Sequence, residues 1–336
     1  MWDDGGNPVR RKIDLDDLYF PPGFLWGTAT AAHQVEGNCT NNNWARWEQQ
    51  RHADGRPTIR GEQKAGSACD HWNRVDEDIA LMKELGVNAY RFSIEWSKLE
   101  PVQGQWNAEA EAHYREELQK LHAAGIVPFV TLYHFTHPIW FDELGAFEKA
   151  ANLPIFTAFC VRAFTAFGDL VRYWCTINEP EVLASTSYFR GDFPPGKQDW
   201  HLAGTVLKNL CEAHVQVYYA IKGVAEHATW VYILHRILKN HVQLIMFEGG
   251  EVSSALPAGG EAQIGLVKNV FQFQAWNPTN PVERMVAHML DSAFNESVLG
   301  FFRTGRFVCS LAHVRVTHTN PKYGGSSTLG FECPRR

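Results

Sequence analysis

The chain has 336 residues, 45% hydrophobic and 20% charged, which excludes a disulfide-stapled miniprotein, a fibrous repeat and wholesale disorder. A formal net charge of −6 without a long basic run argues against a nucleic-acid scaffold or an anionic membrane surface. Seven scattered cysteines without a Cys-x-x-Cys, and a charged N-terminus where a signal peptide needs an apolar core, point to free thiols in a chain that is cytoplasmic or lacks its targeting segment. Aromatics reach 13%, with 12 tryptophans, and such side chains suit a wet pocket that stacks on rings while hydrogen-bonding hydroxyls.

Residues 1–19 read as an N-terminal extension. Gly23 to Thr30 is the first strand candidate, followed by a polar loop holding Asn41, Asn42 and Asn43. Val75 to Leu85 has helix-spaced apolar residues and acids at its start, and Gly86 closes it. Val87 to Ile94 is the second strand, Ala108 to Ala124 a helix stopped by Gly125, and Ile126 to Tyr133 the third strand. A third helix spans Leu153 to Arg172, the fourth strand Tyr173 to Asn178, and a fourth helix Leu202 to Glu226. Ala262 to Lys268 reads as the fifth strand, Val282 to Phe294 as a helix, and Ser327 to Phe331 as the stub of a sixth strand before the tail 332–336. The interval 228–260 breaks this rhythm and carries no assigned element. No apolar run reads as long enough to cross a membrane.

Strands alternating with helices, without a Gly-x-Gly-x-x-Gly after the first strand, favour an α/β fold of the (β/α)8 TIM-barrel type, incomplete, with five to six units in one domain over 20–331. In such a barrel the chemistry sits at the C-terminal strand ends. There the sequence places His33, Gln34 and Glu36, then Arg91 and Glu95, then His134, then Asn178 and Glu179. Pro180 disfavours a helical residue before it, so Glu179 is expected to be extended with its carboxyl in the mouth. Arg91 reads equally as a structural partner of a barrel carboxylate. His134 and His137 lie three apart with no third ligand nearby, so no metal or other cofactor is expected.

Three stretches carry a resemblance. Gly27-Thr28-Ala29-Thr30-Ala31-Ala32-His33-Gln34-Val35-Glu36-Gly37, Tyr90-Arg91-Phe92-Ser93-Ile94-Glu95-Trp96-Ser97 and Thr176-Ile177-Asn178-Glu179-Pro180 closely resemble the signatures of glycoside hydrolase family 1, the β-glucosidases and their relatives. The resemblance implies retaining hydrolysis of a β-linked saccharide or an aryl or alkyl β-glycoside, without a nucleic-acid or membrane partner. By motif, Glu179 resembles the general acid/base. Gln34, His134 and Asn178 resemble the groups that grip the sugar, and Arg91 the cation that orients the nucleophile. His134-Phe135-Thr136-His137 is similar to a family variant that has Phe-Thr-His after the first histidine, where many members have Trp-Asp-Leu.

The resemblance also implies a second carboxylate in a Thr-Glu-Asn-Gly motif, and no such motif occurs here. Glu248 and Glu296 are poor substitutes, the first in the atypical segment and the second in a helix-to-loop stretch. A chain with the acid/base and without the nucleophile is expected to be weak or inactive alone. The alternative is a sugar-binding or scaffold pseudoenzyme. Six strands would leave two open sheet edges, and the two breaks in the match point to an altered transcript or an incomplete gene reading.

Overall fold

Two glycines punctuate the repeats. Gly86 and Gly125 both adopt φ of 73°, directly after the helices His71–Glu84 and Ala108–Ala123. Gly86 N–H donates to Lys83 O and Val87 N–H to Met82 O, and Gly125 and Ile126 do the same to His122 O and Leu121 O. This paired closure satisfies orphan carbonyls and turns the chain straight into the next strand. The second helix also starts on a cap, since Asn107 accepts from the backbone N–H groups of Glu109 and Ala110.

The structure is a computed structural model that describes residues 20 and 22–222, the segments 242–247, 262–270, 306–311 and 314–319, and isolated positions between 284 and 300. Its strands are β1 Gly27–Ala29, β2 Ala89–Ser93, β3 Val127–Tyr133, β4 Tyr173–Asn178, β5 Val242–Phe247, β6 Gln263–Val270, β7 Arg306–Leu311 and β8 Val314–Thr319. Its helices are α1 Ala32–Val35, α2 Asn43–Trp47, α3 His71–Glu84, α4 Trp96–Leu99, α5 Ala108–Ala123, α6 Ile139–Glu143, α7 Leu153–Phe167, α8 Pro180–Ala184 and α9 Trp200–Lys222.

One sheet runs β1-β2-β3-β4-β6-β5, with parallel pairing from β1 through β4 to β6. These five parallel strands and their crossover helices form an incomplete (β/α) barrel, as the alternation predicts. The middle of the sheet is buried on both faces: all of β2 is buried, and so is β4 after its first residue. The outer layer packs aromatic on aromatic. Trp96, almost fully buried, stacks on Phe159 at a centroid distance of 4.5 Å and also meets Phe141 at 4.7 Å and Phe156 at 5.8 Å.

Several expectations need correction. The interval 228–260 contains a strand after all: β5 pairs antiparallel with β6 from Val242↔Val270 to Phe247↔Gly265. An edge strand of unpaired N–H and C=O groups accepts any apolar, extended neighbour, and Leu244 to Phe247 is one. A second sheet, the antiparallel pair β7 and β8, was likewise not foreseen. α7 ends at Phe167, short of Arg172, where Gly168 begins a turn. The stretch 150–167 does have the length and apolar character of a membrane span, yet here it packs against α9 within the core. Of the helix expected at 282–294, helical backbone is described at 284, 285, 287, 288 and 291. The extension 1–19, Glu248, Glu296, the stub Ser327–Phe331 and the tail lie outside the described residues.

Candidate active site

Arg91 links three strands. On β2 it is 6% exposed, and its Nε donates to Thr131 Oγ1 on β3 at 2.9 Å while Nη2 donates to Asn178 Oδ1 at the end of β4 at 2.6 Å. A guanidinium can only donate, so it fixes the amide of Asn178: Oδ1 faces Arg91 and the NH2 group faces the other way. That NH2 lies 3.4 Å from Glu179 Oε2, which completes a line from cation through amide to carboxylate.

Glu179 is not extended. It adopts φ 42° and ψ 64°, the left-handed region, which costs a residue with a Cβ about 1–2 kcal/mol. Local strand geometry explains the difference. β4 and β6 pair at Cys175↔Gly265 and next at Asn178↔Val267, three steps on one strand against two on the other. Such a bulge bends the strand and re-aims its side chains. Glu179 N–H then donates to Val267 O at 2.8 Å, while Glu179 O accepts from Val182 and Leu183 as α8 begins at Pro180. Proline excludes the right-handed helical region for its predecessor, and the immediate turn from sheet into helix excludes the extended one. A left-handed residue held by its surroundings is the kind of strain that collects at functional sites.

Three consecutive asparagines tie the neighbouring loops together. Asn41 Nδ2 donates to Pro101 O at 2.9 Å, after α4. Asn42, fully buried, caps α2 by accepting from Ala45 N–H and donates to His33 Nδ1 and Glu95 Oε1. Because Nδ1 of His33 accepts, its proton sits on Nε2, which donates to Glu48 at 3.0 Å. Asn43 grips the loop after β3, donating to Phe135 O at 3.1 Å and accepting from His137 N–H at 3.0 Å.

Glu95 is the hub beneath this rim. It is fully buried, and its carboxylate accepts from Ser97 Oγ at 2.6 Å, Thr136 Oγ1 at 2.9 Å and Asn42 at 3.3 Å. Glu36 is equally committed: it pairs with Lys98 Nζ at 2.8 Å and accepts from Tyr114 OH at 2.6 Å. Burial pushes its carboxyl up to about 7, against Lys98 and Tyr114, which pull it down. Glu95 was visible as a strand-end residue. Its role as a hub was not, because its donors Asn42 and Thr136 lie 53 and 41 residues away.

His134 stands at the end of β3 beside this hub. Burial first, and the charge of Arg91 second, hold its pKa down to about 3, so the imidazole is neutral at any working pH. Its Nδ1 is buried and meets no partner among the described residues. Next to it is a half-buried aromatic wall, with Phe135 6.2 Å from Phe193 and Phe193 4.8 Å from Trp44. His137 turns elsewhere, between Tyr133 OH at 3.1 Å and Asp142 at 3.2 Å. Gln34 is exposed on α1, whose first N–H, that of Ala32, is fixed by Ser93 Oγ at 2.8 Å. Arg91, Asn178 and Glu179 are thus joined by hydrogen bonds, His134 lies within the field of Arg91, and Gln34 is carried on the adjacent strand-end turn.

Comparison with known proteins covers this same region. The profile of glycosyl hydrolase family 1 matches residues 17–239. Beta-glucosidase A of Thermotoga maritima is 36% identical over 200 residues, 59% of this chain and 44% of that protein. Human cytosolic beta-glucosidase is 35% identical over 208 residues, 60% of this chain and 44% of that one. Among solved structures, the beta-glycosidase from Pyrococcus horikoshii aligns with a TM-score of 0.69 at 30% identity, over 90% of this chain and 60% of that one. The Thermotoga maritima beta-glucosidase in complex with deoxynojirimycin aligns with a TM-score of 0.57 at 34% identity, over 62% and 47%. The chain therefore spans less than half the length of these sequence relatives. Since the matched residues include strands β1 to β4 and every strand-end group described above, the chain belongs to glycosyl hydrolase family 1.

Proposed function

We propose that this chain carries the acid/base and sugar-gripping half of a retaining β-glycosidase site, whose ligand is a β-linked saccharide or an aryl or alkyl β-glycoside. The observation that carries the reading is the line Arg91–Asn178–Glu179 across the ends of β2 and β4, at 2.6 and 3.4 Å. In this reading Glu179 gives its proton to the glycosidic oxygen as the bond to the anomeric carbon breaks, and later takes a proton from the water that releases the sugar. The NH2 of Asn178, the neutral ring of His134 and the amide of Gln34 hold sugar hydroxyls. Trp44, Phe135 and Phe193 offer faces for stacking on the sugar or its aglycone. The complexes of relatives with glucose-like inhibitors, such as deoxynojirimycin, support the substrate class. The free state of the described cysteines Cys39, Cys69, Cys160, Cys175 and Cys211 accords with a cytoplasmic setting.

Retention needs a second carboxylate roughly 5–5.5 Å from the first, to attack the anomeric carbon. The sequence has no Thr-Glu-Asn-Gly motif to supply it, so Arg91 orients no family-type nucleophile within this chain and turnover is expected to be low. One observation favours the second reading, a sugar-binding protein without catalysis: the buried carboxylates Glu36, Glu95 and Glu181 are each held by partners of their own. Hydrolysis of an aryl β-glucoside separates the two. The half-site reading expects weak turnover that Glu179→Gln removes, and the binding reading expects no turnover above background in either protein. A rate within tenfold of a typical enzyme, about 10 per second, contradicts both.

A further inference from the structure

Behind Glu179 lies a charge that the hydrolytic reading does not use. Lys268 on β6 has no exposed surface, and its Nζ is 3.0 Å from Oε1 of Glu181, which is 2% exposed. Lys268 follows Ile264 and Leu266 on the face of β6 that joins the outer core, so the pair bridges β6 and the first turn of α8. Burying an ammonium and a carboxylate is costly, and well-packed apolar residues of similar volume hold a fold together as well or better. Stability alone therefore does not account for the pair.

Its position does. Glu181 is two residues beyond Glu179, and Lys268 directly follows Val267, whose carbonyl accepts the Glu179 N–H at 2.8 Å. The left-handed turn at Glu179 is thus moored to β6 twice, by main chain at 267 and by an ion pair at 268. We infer that Glu181 and Lys268 are positioning residues for Glu179, fixing the first turn of α8 on β6 and setting the Lys268 amine behind the carboxyl that faces the site. Burial depresses the Lys268 pKa, and the charges of Glu181 and Glu179 oppose that depression, so Glu179 lies within the field of the ammonium. Cys211 on α9, a thiol kept neutral by burial, also lies within the field of Lys268. Glu212 beside that thiol pairs with Lys208 at 3.3 Å.

The inference rests on Glu179 being the acid/base, but its test does not depend on turnover. Glutamate-labelled full-length chain is titrated by carboxyl 13C NMR, with the Glu179 resonance assigned from Glu179→Gln. Lys268→Met is expected to move the Glu179 titration up by roughly 0.5–1 pH unit, and Glu181→Gln to move it down by a similar amount, since the cation then acts on Glu179 alone. Lys268→Arg leaves it near the wild-type position. Lys268→Met combined with Glu181→Leu removes both charges at once, so it regains the melting temperature that either single change loses and brings the Glu179 titration back toward the wild-type position. Displacements of the two single variants in the same direction, or no displacement in either, overturn the inference. A reciprocal measurement needs no variant of the pair: the Lys268 15Nζ resonance carries a step at the Glu179 titration that Glu179→Gln abolishes, and a Lys268 signal blind to Glu179 also overturns it. Failure of the acid/base reading shows separately, as hydrolysis unaffected by Glu179→Gln while these NMR shifts persist.

Discussion

Asn178 depends on Arg91 for its orientation. Because the guanidinium takes Oδ1, the amide has one face for structure and one for a ligand. Asn178→Ala removes both, leaving a buried Arg91 N–H without its acceptor. It is expected to cost about 1.5–3 kcal/mol in denaturant unfolding and to weaken glucose binding at least roughly tenfold, and full retention of either contradicts the assignment. A second residue gives a pH signature. His71 is buried between Asp78 at 2.5 Å and Glu117 at 3.1 Å. Burial lowers its pKa, but the hydrogen bonds and charges of Glu117 and Asp78 outweigh burial and raise it from 6.5 to about 9. A raised folded pKa means stabilisation that is complete below pH 6.5 and fades as the pH passes through 9. Thermal melts across that window are expected to show a falling midpoint, and His71→Gln to flatten the fall. At this scale residue types were readable, since strand ends and family motifs pick out Arg91, Asn178 and Glu179. The backbone of Glu179 was not: the proline rule excludes one conformation, and the bulge that selects among the rest arises only when β4 meets β6, about 90 residues later in the chain.

Loops and short elements around the mouth behave as one braced unit. Asn43 holds the β3 loop by two side-chain hydrogen bonds, and Asn42 and Thr136 converge on Glu95. Cutting the brace at Asn43 releases Phe135 and, with it, the adjoining His134. Asn43→Ala is expected to lower stability by about 1–2 kcal/mol and to weaken binding of an aryl β-glucoside more than it changes far-UV circular dichroism. Unchanged affinity measured by calorimetry counts against the brace. Helices and parallel strands were legible here because periodicity and turn glycines are local signals: Gly86 and Gly125 end their helices where the sequence places them. The asparagine run read only as a polar loop, since hydrogen-bond partners 9 to 94 residues away leave no local trace.

At the scale of the whole molecule, five parallel strands make an arc of a barrel and β5 adds an antiparallel edge. Among the described residues, β1 and β5 are the open edges, and the β1 edge is flanked by the exposed aromatic trio Phe20, Phe24 and Trp26. The alternation of strand and helix announced the arc. β5 escaped notice because an apolar run can join either sheet direction, and only the edge it meets decides. The β7–β8 pair lies between the last expected helix and the expected stub at 327–331, and the alternation of apolar and polar residues at the start of Val314–Thr319 is too short to mark a strand by itself. Both readings of function require that this arc presents a formed sugar site. Isothermal titration of glucose into the folded chain tests that requirement most directly. A saturable heat with one site per chain, abolished in Asn178→Ala while circular dichroism stays unchanged, is the result expected, and a cooperatively folded chain that gives no heat with glucose contradicts the account.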